Sequence, residues 1–255
     1  MRIIIVSDIH GNWPALRAVF EAEPTFDRIL CLGDLVNYGP FPVECVDWAK
    51  EMVPVDWLIQ GNHDKAVGVD GDPHCSPPYT RLAEETQAFT SKLLSQELKN
   101  FLARLKPSRT FQLDGAKCVA CHASPIDPLY HYLPETAPVS LWESEIIAAH
   151  QPDFLFLGHT HLPMKMHLRR TLVINPGSVG QPKHGDPLAA YAVWENGEVG
   201  LRRVGYNVEE TIRGFEGRGV ESHVLNSLIT VLRTGGELPS EQIHHTIEKA
   251  HHGKS

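Results

Sequence analysis

Five short polar clusters, each set directly after an apolar run, constrain the fold of this chain more than any other feature. They read Asp8-Ile9-His10, Gly33-Asp34, Gly61-Asn62-His63-Asp64, His122 and Gly158-His159-Thr160-His161. Each is expected where a buried strand ends. Carboxylate, imidazole and amide groups together form the donor mixture that holds hard-to-borderline divalent ions. A single Asp or His at a strand end is ordinarily a solvated loop residue, but five clusters in series are not explained that way.

The runs between the clusters set the architecture. Ile3 to Val6 reads as a buried strand with β-branched bias, and Trp13 to Ala22 as a helix with Leu16, Val19 and Phe20 on one side. Ile29 to Leu32 is a second strand, Pro42 to Glu51 a second helix, and Trp57 to Ile59 a third strand. This alternation implies parallel pairing with right-handed crossovers, and in such sheets ligands collect at the carboxyl ends of the strands. From Lys65 to Lys106 the character changes. A loop rich in Pro, Gly and Asp (Gly68 to Pro78) leads into one long polar helix pattern, with an apolar stripe from Leu82 to Leu105. Thr110 to Leu113 and Lys117 to Cys121 form a hairpin through Asp114-Gly115. Ser124 to Pro138 is a surface loop, Leu141 to His150 a helix and Phe154 to Leu157 a strand. Leu172 to Ile174, Ala189 to Trp194 and Val199 to Val204 read as strands of antiparallel style, so two facing sheets are expected. Residues 1–206 are expected to form one domain with an insertion at about 66–108. Residues 207–255 are expected to be a helical extension packed on it.

Composition excludes several classes of function. The net charge of −8 leaves no basic stripe for a nucleic-acid backbone. The N-terminal apolar run of Ile3 to Val6 is too short for a signal peptide or a membrane span, so a cytoplasmic location is expected. Five scattered cysteines do not form a disulfide framework. Cys118-Val119-Ala120-Cys121 matches CxxC in form, but strand residues three apart point to opposite faces, so the pair reads as two buried small residues. The stripe from Val224 to Leu232 reads as core or dimer surface, not a membrane face, because its flanks are not basic. His244, His245, His251 and His252 read as a solvated terminus in preference to a metal-binding tail.

Within the clusters, Asp8 and His10 are two apart, and an extended backbone would put both on one side to chelate a single ion. Gly33 would let backbone approach closely beside Asp34, whose carboxylate could bridge two ions. His159 and His161 are also two apart, and a tight turn would send them to different ions.

The ordered set Asp8-x-His10, Gly33-Asp34-(x)4-Gly39, Gly61-Asn62-His63-Asp64, His122 and Gly158-His159-Thr160-His161 resembles the signature of the calcineurin-like metallophosphoesterase superfamily. Asn175-Pro176-Gly177-Ser178-Val179-Gly180-Gln181-Pro182 is similar to a segment of its small prokaryotic phosphodiesterase branch, including members like diadenosine tetraphosphate hydrolases. Ser124-Pro125-Ile126-Asp127-Pro128-Leu129 resembles larger members of that branch. Ala123 and Ile126 depart from the Gly and Arg usual there.

The resemblance implies an α/β (α+β) fold, a four-layer αββα sandwich of two mixed sheets flanked by helices. It implies two divalent ions, Mn foremost with Fe, Zn, Ni, Co or Mg admitted. Asp8, His10, Asp34 and His161 would hold one ion and Asp34, Asn62, His122 and His159 the other, leaving His63 unligated beside the substrate. The activity implied is hydrolysis of a small phosphodiester or nucleotide by a metal-bridging hydroxide. Asp34 and His63 would be the catalytic pair, with His63 assisting the leaving group.

A catalytically silent scaffold that binds protein, a phosphomonoesterase and a protein phosphatase are the alternatives. Full retention of the donors and of His63 argues for catalysis. No nucleic-acid or membrane partner is expected, and a homodimer is admitted. Asn12, Asn37, Tyr38 and Tyr130 are the candidate substrate contacts, each with a bland alternative as a turn or loop residue. Tyr130, His131 and Tyr132 could stack a base. Lys183 and His184 could hold phosphate, though an exposed lysine is the simpler reading.

Overall fold

The structure, a computed structural model, describes residues 1–76 and 79–238. Pro77, Pro78, the end of the C-terminal extension and its four histidines lie outside the described residues.

Strand β1 (Arg2–Val6) is apolar after its first residue because it is central and covered on both faces. It pairs in parallel with β2 (Arg28–Cys31) and antiparallel with β8 (Ala189–Glu195), which carries the edge strand β9 (Glu198–Val204). The second sheet is ordered β3 (Ser108–Leu113), β4 (Ala116–Cys121), β5 (Phe154–Phe156), β7 (Thr171–Asn175) and β6 (Met164–Leu168). Its centre is parallel and both edges are antiparallel, so both sheets are mixed.

Alternation along the second sheet separates two cores. Cys118, Ala120, Phe156, Leu172 and Ile174 face the first sheet. Val119, Cys121, Leu155 and Val173 face α6 (Val139–Ala148) through Trp142 and Ile146. On the far side of the first sheet lie α1 (Trp13–Ala22) and α2 (Pro42–Met52), which bury Leu16, Val19, Val46 and Ala49. The result is the four-layer αββα sandwich. The two CxxC cysteines lie in different cores, as strand alternation requires.

Several local readings are corrected. Trp57 to Ile59 is not a strand. Pro54 precedes a single 3₁₀ turn, Val55–Trp57, after which only Leu58 and Ile59 make isolated bridges, to Cys31 and Lys106. The chain must turn at once into α3 (Asn62–Val69), so Asn62, His63 and Asp64 begin a helix and do not end a strand. The long helix pattern divides into α4 (Thr80–Leu93) and α5 (Gln96–Arg104). Leu94 is extended, and the Ser95 hydroxyl caps α5 by accepting from Leu98 N–H at 3.3 Å. β6 was hidden in the sequence because only one residue in it is fully buried. β7 runs parallel to β5, so the later half is not purely antiparallel.

At the C-terminal side, α7 (Val208–Arg213) and α8 (Ser222–Thr234) follow β9. Val224, Leu228 and Leu232 of α8 pack with Leu82, Ala83, Tyr38 and Phe215, so this stripe is core. No described helix is long and apolar enough to cross a membrane.

Candidate metal centre

The loops leaving β1 and β2 are laced together by backbone hydrogen bonds. Asp8 N–H donates to Gly33, His10 N–H to Asp34 and Gly11 N–H to Leu35, at 2.8–3.0 Å. Asp8 and His10 have φ near +50°, so the segment is coiled and not extended; the extended-backbone argument for them is corrected. Seven of the fourteen non-glycine residues with positive φ among the described residues belong to this region: Asp8, His10, Asp34, Asn37, Tyr38, His159 and His161. Such backbone is costly, at about 1–3 kcal/mol per residue where the strain is real, and it persists where the surroundings over-determine it. The loops also need glycine. A Cβ at Gly33 (φ +94°) would lie 2.4 Å from Gly61 N, and one at Gly180 would lie 1.8 Å from the Ile9 carbonyl.

These loops bring the predicted donors into two adjoining groups. In the first, His10 Nδ1 donates to the Val36 carbonyl (3.0 Å) and His161 Nδ1 to the Gln181 carbonyl (2.6 Å). With Nδ1 carrying the proton, each Nε2 presents a lone pair. Yet the two Nε2 atoms lie 3.2 Å apart, with Asp8 Oδ1 at 3.3 Å from His161 and Asp34 Oδ2 at 3.7 Å from His10. In the second group, His122 Nδ1 donates to the Leu32 carbonyl (2.7 Å). Its Nε2 faces Asn62 Oδ1 at 2.9 Å and Asp34 Oδ2 at 3.2 Å. His159 Nδ1 lies 3.1 Å from the same Asn62 oxygen. The Asn62 amide nitrogen donates to the Pro73 carbonyl, which turns that oxygen inward. His159 and His161 therefore go to different groups, and Asp34 borders both.

Of the seven donors only His159 is half-buried and the rest are buried, and in the first group acceptor faces acceptor. Asp8 Oδ1 has no hydrogen-bond partner among the described residues. Groups of this kind repel unless a cation stands between them, so the arrangement fits divalent ions, which bind such atoms at about 2.0–2.2 Å. Electrostatics agree. Burial pushes His10 down to about 4 and His159 to about 3, and holds His161 well below its usual range, so these imidazoles stay neutral and able to ligate. Burial pushes Asp8 up to about 7, against the pull of His122. Burial also opposes charge on His122 and Asp34, but their mutual attraction prevails. It raises His122 to about 9 and holds Asp34 well below the carboxylate range.

His63 differs from the other imidazoles. Its donor atoms fall within reach of His10 and Asp34, yet Nδ1 meets the Asn37 amide at 2.8 Å and Nε2 meets Cys75 Sγ at 3.3 Å. Neither ring nitrogen bonds a backbone carbonyl, and burial pushes the ring down to about 3. Tyr38 packs 4.9 Å from His63 and 4.8 Å from His10, and its hydroxyl reaches Cys75 Sγ.

The other candidate residues are dispersed. The Asn12 side chain is committed to the fold. It caps α1 through Ala15 N–H, donates to Gly180 and Tyr206, and accepts from Thr211. Tyr130 sits edge-on to His74, whereas Tyr132 reaches the second group, 5.8 Å from His159. His131 Nδ1 meets both Ser124 Oγ and Glu145 Oε1, so these three brace a loop; a nucleophilic relay would use both ring nitrogens.

Lys183 is half-buried, not exposed, with Nζ 4.1 Å from the Tyr79 ring centroid. Asp64, which closes the Gly61-Asn62-His63-Asp64 cluster, has a role that its place in that cluster does not announce. Its carboxylate accepts from the N–H groups of Gly61, Asp34 and Leu35, tying the α3 start to the Asp34 loop. Helix-start acid in position N3 was the available signal. Cys75 and Tyr79 carried no such signal.

A family model described as "Calcineurin-like phosphoesterase superfamily domain" matches residues 1–197. Phosphodiesterase YfcE of Escherichia coli (strain K12) is 29% identical over 198 residues, covering 77% of this chain and 88% of that protein. A symmetrical bis(5'-nucleosyl)-tetraphosphatase of Methylococcus capsulatus is 29% identical over 157 residues, 58% of this chain and 51% of that one. The crystal structure of a metallophosphoesterase from Sphaerobacter thermophilus is 31% identical with a TM-score of 0.76. It covers 92% of this chain and 99% of that one.

Proposed function

This chain belongs to the calcineurin-like phosphoesterase superfamily and is a phosphoric ester hydrolase, and from that premise we propose that it is a two-metal enzyme acting on a small phosphodiester or nucleotide. Asp8, His10, Asp34 and His161 hold one ion; Asp34, Asn62, His122 and His159 hold the other. The observation that carries this reading is the pair of convergent donor groups bordering one carboxylate, Asp34, with each of His10, His161 and His122 fixed by a carbonyl behind it.

When bound, two such ions would supply Lewis acidity toward the phosphoryl oxygens and an activated water. The chain's own part is orientation and proton handling. The carbonyls of Val36, Leu32 and Gln181 fix the histidine tautomers, and Asp64 pins the loop that carries Asp34. His63 stands apart with no carbonyl behind it, which suits a group that exchanges a proton with the leaving oxygen. A bound phosphate brings negative charge beside it and favours the imidazolium that burial alone disfavours. The relatives' names, a phosphodiesterase and a dinucleoside tetraphosphatase, support a small substrate over a protein. Mn is the metal we favour.

The test is an assay of metal-free protein reloaded with Mn²⁺ against bis(p-nitrophenyl) phosphate, p-nitrophenyl phosphate and diadenosine tetraphosphate. The expected result is turnover of a diester or the tetraphosphate above the monoester, restored by the metal. Two bound ions with no turnover of any of the three would instead support a protein-binding scaffold.

A further inference from the structure

The segment after β7 passes the metal centre at Gln181, whose carbonyl receives His161 Nδ1, and two residues later places Lys183 beside it. The Lys183 ammonium sits on the face of Tyr79. Among the described residues no carboxylate lies within ion-pair distance of it; Asp186, the acid nearest in sequence, pairs with Arg203 at 2.7 Å. Its own segment holds Gln181 against His161 on one flank of the site, and its platform Tyr79 belongs to the segment on the other flank. That second flank is the one that touches His63. Tyr79 N–H bonds the Ser76 carbonyl, and the adjoining Cys75 Sγ touches His63 Nε2.

The turn that ends α8 holds this lysine in place. Gly236 accepts from the Tyr79 hydroxyl (3.3 Å) and Gly235 accepts from Gly185 N–H (2.9 Å). A Cβ on Gly236 (φ +132°) would lie 2.6 Å from Lys183 Cα, and one on Gly235 (φ +80°) 2.3 Å from Asp186 N. One turn therefore clasps both the lysine and its aromatic platform. It lies beyond residue 197, where the family match ends.

Charge decides what such a lysine is for. Two divalent ions bring four positive charges, and Asp8 and Asp34 return only two, so an added ammonium calls for more negative charge than a single diester carries. We infer that Lys183 is a specificity-determining residue, binding an anionic group on the departing part of the substrate, with the Gly235-Gly236 turn setting its position. This rests on the two-metal reading above.

The substrate class that fits is a phosphoanhydride whose leaving group is itself a phosphate, as in a nucleoside or dinucleoside polyphosphate. In that reaction a water oxygen bonds to phosphorus and loses its proton, and the bridging P–O bond breaks. The electron pair stays on the departing phosphate. That anion needs no proton at neutral pH; Lys183 pairs with it, and dependence on His63 is correspondingly smaller.

The test compares Mn²⁺-loaded wild type with Lys183→Met, Lys183→Arg and Gly236→Ala, all checked for two bound ions. The ratio of kcat/KM for diadenosine tetraphosphate to that for bis(p-nitrophenyl) phosphate should fall at least about tenfold in Lys183→Met. It should recover in Lys183→Arg and fall partway in Gly236→Ala. Calorimetric binding of adenosine 5'-diphosphate should weaken in the same order. An unchanged ratio and unchanged diphosphate binding in Lys183→Met would overturn the assignment, as would an enzyme active on the diester and inert toward the tetraphosphate. If wild type turns over neither substrate, the two-metal reading fails on activity, and diphosphate binding alone then decides for or against Lys183.

Discussion

Two buried polar clusters in this molecule are built on opposite terms. At the C-terminal end of α1, the Glu23 carboxylate is almost fully buried, but its oxygens meet Arg2, Arg202 (2.5 Å) and the Tyr191 hydroxyl (2.9 Å). Every negative charge there is answered by a donor of the chain. At the metal centre the reverse holds: Nε2 faces Nε2, Asp8 Oδ1 has no partner among the described residues, and three imidazoles are already spent as donors to carbonyls. The first cluster is complete with protein atoms alone. The second is complete only when cations are added, and that difference separates a structural network from a site.

The largest effect expected is at Asp34, which borders both groups. Asp34→Ala should lower the bound metal at both positions and cut kcat/KM by more than about 10³-fold, a loss larger than that of a single electrostatic donor. Full metal content in this variant, measured by elemental analysis, would erase the contrast between the clusters. His63→Ala comes next, with an expected loss of ~10²–10⁴-fold in turnover of a diester whose leaving alkoxide needs a proton, and both ions retained. Loss of an ion would reassign His63 as a ligand, a role its reach toward His10 and Asp34 permits.

The clusters should also part company in thermal unfolding. Mn²⁺ at a hundred times its dissociation constant should stabilise wild type by about 2.7 kcal/mol per site. It should still do so in Glu23→Gln, and should fail in Asp34→Ala. Glu23 has its own signature in pH. Burial alone would raise its pKa, but the bonds from Arg2, Tyr191 and Arg202 win and hold it below the ordinary carboxylate value. Its stabilisation is therefore present above the unfolded-state value near 4.5 and is lost as pH falls through the folded value. Acid melting curves of Glu23→Gln should be flatter in that window, with a neutral-pH loss of about 1–3 kcal/mol. Activity per bound metal should be unchanged. The smallest effect is at the CxxC pair: Cys118→Ala or Cys121→Ala should leave metal content as in wild type, since the two thiols lie in different cores.

Much of this was legible in the sequence because chemistry and periodicity spoke together. β1, α1 and the donor residues were readable from an apolar run ending in an Asp or His. What escaped was set by tertiary context. Trp57 to Ile59 has strand composition, but Pro54 and the demand to enter α3 leave it a turn and two bridges. Asp8 and His10 do lie together, but because their loop is coiled and not extended. Tyr132 and not Tyr130 reaches the donors, Cys75 touches His63, and Lys183 meets Tyr79 from more than a hundred residues away in the chain. Long-range placement of this kind leaves no periodic trace.

The central claim is that Asp34 joins two ions in one centre. Electron paramagnetic resonance of the protein titrated with Mn²⁺ tests it most directly. The account predicts two ions per chain with an exchange-coupled spectrum at saturation, lost in Asp34→Ala. One ion per chain, or two that remain magnetically independent, would contradict it.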